Sequence, residues 1–236
     1  MPVDAVIFDW GGTLTRWHDI DFHAESLALA QAVITTPTKE DDHHAYAARL
    51  HRAGNVIWGR SRDHQQSSTV DDLFAEAGLE HDPELLDAYY EFWDPHTTTD
   101  AEVGSLWEAL RADGIKVGVL SNTIWPRAFH EQIFERDGVL HLIDGDVYTS
   151  EIPWTKPSPK AFTAAMAAVA VEDPARCVYV GDRLYDDIWG AQNAGLRAIH
   201  IPHSQIPVDQ IGHTEGEPDA VAHRISEVRD IVAGWD

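Results

Sequence analysis

The pattern of apolar and polar residues changes character along this chain. Val3 to Phe8 is a short apolar run that stops at Asp9 and a Gly-Gly pair, which is typical of a buried parallel strand ending in a loop. From about Ala24 to Pro95 the apolar residues recur at helical spacing, and no segment there indicates a strand. The helices predicted in this stretch are Ala24–Ile34, Asp41–Trp58, Val70–Ala77 and Glu84–Trp93, with breaks at Pro37, Gly59, Gly78 and Pro83.

Strands and helices alternate in the remainder of the chain. The alternation predicts an α/β protein with a doubly wound parallel sheet, in which the all-helical block is an insertion after the first strand. The predicted strands are Lys116–Leu120, short segments around Val139–Ile143 and Asp146–Thr149, Cys177–Val180 and Ala198–Ile201. The predicted helices are Ala101–Asp113, Arg127–Arg136, Pro159–Val169, Asp186–Ala194 and Arg224–Val232, with a long loop from Pro202 to Pro218.

The charge balance restricts the class of partner. The 17 Lys and Arg residues against 40 Asp and Glu residues give a formal net charge of −23. A field of that sign repels the phosphates of nucleic acids and the headgroups of anionic lipids, so we expect neither a nucleic-acid nor a membrane partner. A phosphate site in such a protein must create its own positive potential, for which a metal ion and one well-placed Lys suffice.

Cys177 is the only cysteine, which excludes an intramolecular disulfide, and its apolar neighbours indicate a buried, inert thiol. The first residues lead into a strand without a basic region or a cleavable apolar stretch, and no run is long enough to span a bilayer. The expectation is a soluble cytoplasmic protein whose oligomeric state the sequence leaves open.

Polar residues suited to catalysis follow the predicted strands. In open α/β sheets, ligands bind outside the carboxyl ends of the strands. Each residue by itself is ordinary, because strand-end acids, helix caps and turns are common. Their occurrence together and in this order indicates an active site, and the residues concerned are Asp9, Ser121, Asn122, Lys156, Asp182 and Asp187.

The order and wording of these motifs resemble the four motifs of the haloacid-dehalogenase-like hydrolase superfamily. Asp9 matches the nucleophile motif, Ser121 the second motif and Lys156 the third, while Asp182 and Asp187 match the acidic fourth motif. The resemblance covers residues 1–15 and about 98–236, which it identifies as a Rossmann-like core. Residues 16–97 are similar to the family's helical cap only in position and helical character.

The resemblance implies a Mg²⁺-dependent hydrolase, in the first place a phosphatase that forms an aspartyl-phosphate on Asp9 and acts on a small phosphorylated metabolite. The metal ligands that it implies are Asp9, the carbonyl of Gly11 and Asp182, with Asp187 orienting a water or a neighbouring ligand. Lys156 and Ser121 are the other implied catalytic residues. The groups expected to bind phosphate are Gly12, Ser121, Asn122 and Lys156.

One position departs from the family pattern. Phosphatases of this family usually carry a second Asp two residues after the nucleophile, as an acid–base group worth about 10²–10⁴ in rate, but here the residue is Gly11. A substitute from the cap or from the loop Arg16–His23 is one explanation, with His18, Asp19, Asp21 and His23 as candidates. Others are a substrate with a good leaving group, cleavage of a phosphonate with help from Lys39, carbon–halogen cleavage, and a degenerate protein that binds a phosphorylated ligand without turnover. The acidic pair of the fourth motif argues against carbon–halogen cleavage, which needs no magnesium site.

Two further clusters of residues have an ordinary and a functional interpretation. Trp10, Trp125 and Trp154 each lie within four residues of a proposed catalytic residue, so they form either simple packing or an aromatic-walled pocket. The run from Asp41 to His44 resembles a metal cluster, but adjacent helical residues diverge around the axis. A solvated first helical turn is the expectation for that run.

Overall fold

A parallel sheet forms the centre of the molecule in the computed structural model, which describes residues 2–16, 20–33, 40–82, 85–204, 206 and 212–235. Within these residues the sheet has six strands in the order β3-β2-β1-β4-β5-β6, and every adjacent pair is parallel. The predicted α/β class is therefore confirmed. The strands are β1 (Ala5–Phe8), β2 (Lys116–Ser121), β3 (Gly145–Tyr148), β4 (Cys177–Gly181), β5 (Arg197–His200) and β6 (Ala220–Val221).

The position of β1 explains why distant motifs meet. Its residues have no exposed surface, as expected for a strand covered on both faces. Phe8 is in register with Val119 of β2 on one side and with Val180 of β4 on the other. By the same register, Asp9 leaves the sheet between Leu120 and Gly181, at the edge where all carboxyl ends of the strands lie.

Among its described residues, the segment between β1 and β2 contains helices joined by turns and loops and contributes no strand to the sheet, as predicted. Its second helix continues through Gly59, so the predicted break there is wrong: one helical Gly costs only about 1 kcal/mol, which packing overrides. The break at Gly78 is confirmed, with a φ of 63° that ends the third helix. His18, Asp19, Pro37, Lys39 and Pro83 lie outside the described residues. The helices are α1 (Phe22–Val33), α2 (Glu40–His64), α3 (Val70–Ala77) and α4 (Leu86–Trp93).

The helices that follow the insertion in the chain flank the sheet. The segment from Leu184 to Trp189 is a π-helical turn that leads into a short α-helix, where a single helix from Asp186 was predicted. The short β6 was missed because two residues show no periodicity. The helices are α5 (Val103–Ala112), α6 (Arg127–Arg136), α7 (Pro159–Ala168), α8 (Gly190–Asn193) and α9 (Val228–Ala233).

The strand predicted around Val139–Ile143 is wrong, because that segment forms a 3₁₀ turn at Leu140–Leu142. Asp144 explains the difference. Its backbone N–H donates to the carbonyl of Val117, and its Oδ2 accepts a hydrogen bond from the Val117 N–H at 2.9 Å. The edge of β2 is thus occupied before the new strand begins at Gly145.

Large buried side chains pack on both faces of the sheet. Phe8 and Trp107 of α5 meet on one face with ring centroids 5.9 Å apart, and Phe162 of α7 meets Tyr179 on the other at 5.0 Å. Truncation of such a residue to Ala typically costs about 3–5 kcal/mol, so these contacts fix the strands that carry the polar residues. Among the described helices, none is both long and apolar enough to cross a bilayer.

Candidate active site

Asp9 opens a tight loop over the end of the sheet. Its backbone N–H still donates to the carbonyl of Val180 at 2.8 Å, which keeps it in register with β4. Three residues later the chain turns at Gly12, whose φ is +96°. A Cβ at this position would lie 2.2 Å from Oδ2 of Asp182, so both the turn and the close approach require glycine.

Lys156 joins three of the polar side chains. Its Nζ lies 2.5 Å from Oδ1 of Asp9, 2.7 Å from Oδ1 of Asp187 and 2.9 Å from the hydroxyl of Tyr179. Although burial by itself lowers the pKa of Lys156, the charges of Asp187 and Asp9 outweigh it and hold that pKa well above its ordinary value. Lys156 is therefore a permanent cation beside Asp9, as the sequence predicts.

Asp9 is buried and carries an altered acidity. Burial raises its pKa to about 6, with Asp187 adding to the rise and Lys156 opposing it. In the absence of a further cation, Asp9 is ionised at neutral pH but takes up a proton in mildly acidic solution. Such a tuned carboxylate in a cavity is a functional-site signature.

Tyr179 was not singled out from the sequence. Its hydroxyl donates to the carbonyl of Leu120 at 3.0 Å and accepts from Lys156, so it connects β2 and β4 beneath the site. In the sequence it stands within the apolar run of β4, where an aromatic residue is ordinarily a core residue. No local pattern distinguishes it from its neighbours Val178 and Val180.

Ser121 ends β2 and Asn122 follows it, and both residues border the same cavity as Asp9 and Lys156. The side-chain amide of Asn122 is bonded to the backbone of Lys156, accepting from its N–H and donating one hydrogen to its carbonyl. A phosphate contact from Asn122 would come from its backbone N–H or from the second hydrogen of this amide. Ser121 is only 2% exposed, at the cavity wall beside the strand end.

The acidic residues converge as a cation site requires. Asp9, Asp182 and Asp187 each offer a carboxylate oxygen, and these oxygens all lie within 4.8 Å of one another. Oδ1 of Asp182 is buried without a hydrogen-bond partner, and burial together with the charge of Asp9 holds the pKa of Asp182 well above its ordinary value. Hard oxygen ligands with this excess of negative charge fit Mg²⁺.

Asp187 is held differently from the other two carboxylates. One of its oxygens accepts from Lys156, and the other accepts from the backbone N–H of Arg183 at 2.9 Å. A Cβ at Gly181 would lie 2.3 Å from Cγ of Asp187, which shows how tightly the carboxylate sits against the end of β4. Its direct contacts therefore position Lys156 and the strand-end loop.

His203 and Ser204, which follow β5, hold the loop that begins at Asp9. Neither residue was singled out from the sequence. Nε2 of His203 lies 2.9 Å and Oγ of Ser204 lies 2.5 Å from the carbonyl oxygen of Gly12. They fix the orientation of the peptide that joins Gly12 to Thr13. The predicted long loop thus contributes to the site, although its sequence has no periodic pattern that would indicate this.

A cavity of about 660 Å³ connects the strand ends with the helices of the insertion. Trp10 and Trp125 are only 7% and 8% exposed and also line this cavity, so the packing and pocket interpretations both hold for them. Trp154 instead lies beneath the ammonium of Lys160, whose Nζ is 4.8 Å from its ring centroid. Gly11 borders the cavity as well.

The candidates for a substitute acid are partly accounted for. The carboxylate of Asp21 accepts from the backbone N–H groups of His23 and Ala24 at 2.9 and 3.1 Å, which caps the start of α1. His23 is exposed, with its ring centroid 6.4 Å from that of His44. The acidic cluster at the strand ends is the group of possible metal ligands found among the described residues, and the side chains of Asp41 and Asp42 lie outside them.

The sequence is similar to those of known proteins. The family model of haloacid dehalogenase-like hydrolases matches residues 3–195. The glyceraldehyde 3-phosphate phosphatase of Methanothermobacter thermautotrophicus is 32% identical over 125 residues, which are 52% of this chain and 54% of that protein. The pyrimidine 5'-nucleotidase YjjG of Escherichia coli is 34% identical over 105 residues, 44% of this chain and 45% of that protein. The matches thus span about half the length of the curated relatives.

Solved structures share the whole fold. A phosphatase from Thermococcus onnurineus superimposes with a TM-score of 0.64 at 24% identity, covering 98% of this chain and 99% of its own. The L-2-haloacid dehalogenase from Xanthobacter autotrophicus gives 0.66 at 17% identity, covering 99% and 100%. The family match spans most of the chain and includes every one of the site residues at the ends of β1, β2 and β4, so the protein belongs to the haloacid dehalogenase-like hydrolases.

Proposed function

We propose that the protein is a Mg²⁺-dependent phosphatase that acts on a small phosphorylated metabolite through an aspartyl-phosphate on Asp9. The observation that carries the proposal is the contact of 2.5 Å between Asp9 and Lys156, next to an Asp182 oxygen that lacks any partner. We further propose that residues 1–15 and 98–236 act as the catalytic core and residues 16–97 as a cap.

The chain's own residues supply the nucleophile of this reaction and hold the phosphoryl group. A carboxylate oxygen of Asp9 attacks phosphorus, the P–O bond to the alcohol breaks, and the alkoxide takes a proton from solvent. Water then attacks phosphorus, the P–O bond to Asp9 breaks, and inorganic phosphate leaves. Lys156 neutralises charge that develops on the phosphoryl oxygens, and Ser121 with the backbone at Gly12 and Asn122 orients them.

A cation would complete this site. Asp9, Asp182 and the carbonyl of Gly11 would hold Mg²⁺, which supplies positive charge against the repulsion between the carboxylates and the phosphate. Asp187, through Lys156, would keep the ammonium directed at Asp9. The need for such a charge is acute in a protein with a formal net charge of −23.

The names of the relatives support phosphate-ester chemistry. The relatives with 32% identity are named glyceraldehyde 3-phosphate phosphatases, and another is named a pyrimidine 5'-nucleotidase. The direct test is a panel of phosphate esters and phosphonates assayed for phosphate release with Mg²⁺ and with EDTA. Phosphate release from esters that EDTA abolishes is the expected result; metal-independent activity or inactivity on every ester would overturn the proposal.

Gly11 favours a second candidate, because a reaction without a leaving-group acid needs no side chain there. Carbon–halogen cleavage is such a reaction. The two reactions differ in the atom that water attacks in the last step, which is phosphorus in a phosphatase and the carbonyl carbon of Asp9 in a dehalogenase. In ¹⁸O-water, a phosphatase places the label in phosphate, whereas an alkyl ester of Asp9 is hydrolysed at its carbonyl carbon and places the label in Asp9. Mass spectrometry of the released phosphate and of the peptide that contains Asp9 separates the two candidates. In a protein that only binds a phosphorylated ligand, neither would carry the label.

A further inference from the structure

An unbroken aromatic wall leads from the nucleophile into the helical insertion. Trp10, next to Asp9, has its ring centroid 5.7 Å from that of Trp125, and Trp125 lies 4.9 Å from Trp93 of α4. All three rings border the cavity that contains Asp9 and Lys156. A ligand bound at Asp9 therefore has aromatic surface beside it along the whole path to α4.

Aliphatic residues from other helices continue this wall. Leu29 of α1, Leu50 of α2 and Leu73 of α3 are each buried and border the same cavity. The volume of about 660 Å³ is within the range of about 300–1,000 Å³ that is typical of sites for drug-sized molecules. A three-carbon phosphate would leave most of this apolar wall in contact with water.

A carboxylate of α1 interrupts the apolar wall. Glu25 of α1 borders the cavity, where its Oε1 accepts from the hydroxyl of Tyr89 and its Oε2 accepts from Oγ of Ser26 at 3.2 Å. An ionised carboxylate has room for about four hydrogen bonds, so acceptor capacity remains. Among the described residues, no Lys, Arg or His forms an ion pair with Glu25. Burial raises its pKa, as expected for a carboxyl in apolar surroundings.

We propose that the natural substrate is a phosphate monoester of a hydrophobic alcohol that is at least as bulky as an aromatic ring. Glu25 selects a hydrogen-bond donor on that alcohol. This inference rests on the proposed phosphatase function and names its substrate class. The phosphate binds at Asp9 and Lys156, the hydrophobic body lies along Trp10, Trp125 and Trp93, and the distal donor meets the free lone pairs of Glu25. Tyr89 fixes the carboxylate in place.

A series of esters with one type of leaving group tests the apolar wall. Propyl phosphate, 3-phenylpropyl phosphate and 3-(4-hydroxyphenyl)propyl phosphate all release a primary alcohol. Differences in kcat/KM among them therefore measure the contacts that the protein makes with the rest of the alcohol. We expect the phenyl group to raise kcat/KM by about tenfold to a hundredfold, because burial of a hydrophobic group gives discrimination of this size. Equal values for propyl and phenylpropyl phosphate would overturn the inference.

The hydroxyl of the third ester tests Glu25. We expect it to raise kcat/KM about tenfold further, and Glu25→Gln to remove most of that gain, since a charged acceptor makes the stronger bond. Tyr89→Phe keeps the carboxylate but removes the hydroxyl that holds it, so it should reduce the preference for the hydroxyl less than Glu25→Gln does. Glu91→Gln, on an exposed residue of α4 that borders a different cavity, is the matched control and should behave as wild type.

The outcomes distinguish the two proposals. An unchanged hydroxyl preference in Glu25→Gln, with the enzyme otherwise active, would show that Glu25 does not select the substrate. Inactivity of the wild type on all three esters and on p-nitrophenyl phosphate would instead overturn the phosphatase assignment, and the inference would fall with it.

Discussion

The side-chain amide of Asn122 is clamped to the backbone of Lys156: its Oδ1 lies 2.9 Å from the Lys156 nitrogen and its Nδ2 lies 3.1 Å from the Lys156 carbonyl oxygen. The two residues are 34 positions apart in the chain. The contact joins the end of β2 to the segment that carries the buried ammonium group. It fixes the place from which Lys156 reaches Asp9.

Asn122→Ala should therefore lower activity through Lys156. Two hydrogen bonds make a net contribution of about 1–3 kcal/mol to stability. We therefore expect the free energy of unfolding to fall by that amount and kcat to fall with it. Asn122→Asp retains the acceptor for the Lys156 N–H and loses the donor, and should give an intermediate effect. Denaturant unfolding and phosphate release measure the two quantities. Wild-type kcat in the Ala variant would show that the clamp does not position Lys156.

Magnesium should stabilise the protein through Asp182, whose buried Oδ1 lacks a partner. A ligand present at a hundredfold above its Kd stabilises the native state by about 3 kcal/mol, which raises the melting temperature. Asp182→Ala should remove most of the shift. The same substitution at the exposed Asp230 of α9 controls for diffuse binding to the acidic surface and should leave the shift intact. An equal Mg²⁺ shift in Asp182→Ala would place the ion elsewhere.

Restoring the family's second acid at Gly11 should not help. A carboxylate there would join Asp9, Asp182 and Asp187 in a site with a single Lys, so we expect Gly11→Asp to leave rates unchanged or to lower them. The measurement compares a sugar phosphate, which gains most from protonation, with p-nitrophenyl phosphate. A large gain confined to the sugar phosphate, up to about 10²–10⁴, would show that the native enzyme simply lacks this group.

His130 should make the fold sensitive to acid. It is fully buried between Tyr148 and Trp10, and burial lowers its pKa to about 3. The unfolded chain binds a proton near pH 6.5 while the native state does not, so this residue reduces stability as pH falls from about 6.5 towards 3. At pH 5 the loss is on the order of 2 kcal/mol relative to neutral pH.

Replacement by Phe tests the effect because it removes the titrating group and retains a ring. The unfolding free energies of wild type and His130→Phe at pH 7 and pH 5 give the measurement, in which all other titrating groups cancel. The variant should lose about 2 kcal/mol less than wild type between the two values. An identical pH dependence would mean that His130 is charged or that its site opens in acid.

The sequence was sufficient to predict which strands carry the site, because Asp9, Ser121 and Asp182 each follow an apolar run and parallel strands bring their carboxyl ends to one edge. It failed where a tertiary contact determines the outcome. Tyr179 is ordinary in its apolar run and acquires a role only through Lys156. The apolar segment before Asp144 has the residues of a strand, but Asp144 occupies the edge of β2 first.

The central claim is that Asp9 is the nucleophile. During steady turnover of a phosphate ester with Mg²⁺, rapid quenching with borohydride reduces an aspartyl-phosphate to homoserine, which peptide mass spectrometry locates. We predict homoserine at position 9 alone, dependent on both substrate and Mg²⁺, and an inactive but folded Asp9→Asn variant, because an amide is a poor nucleophile. Homoserine at Asp182 or Asp187, or near-wild-type turnover in Asp9→Asn, would contradict the account.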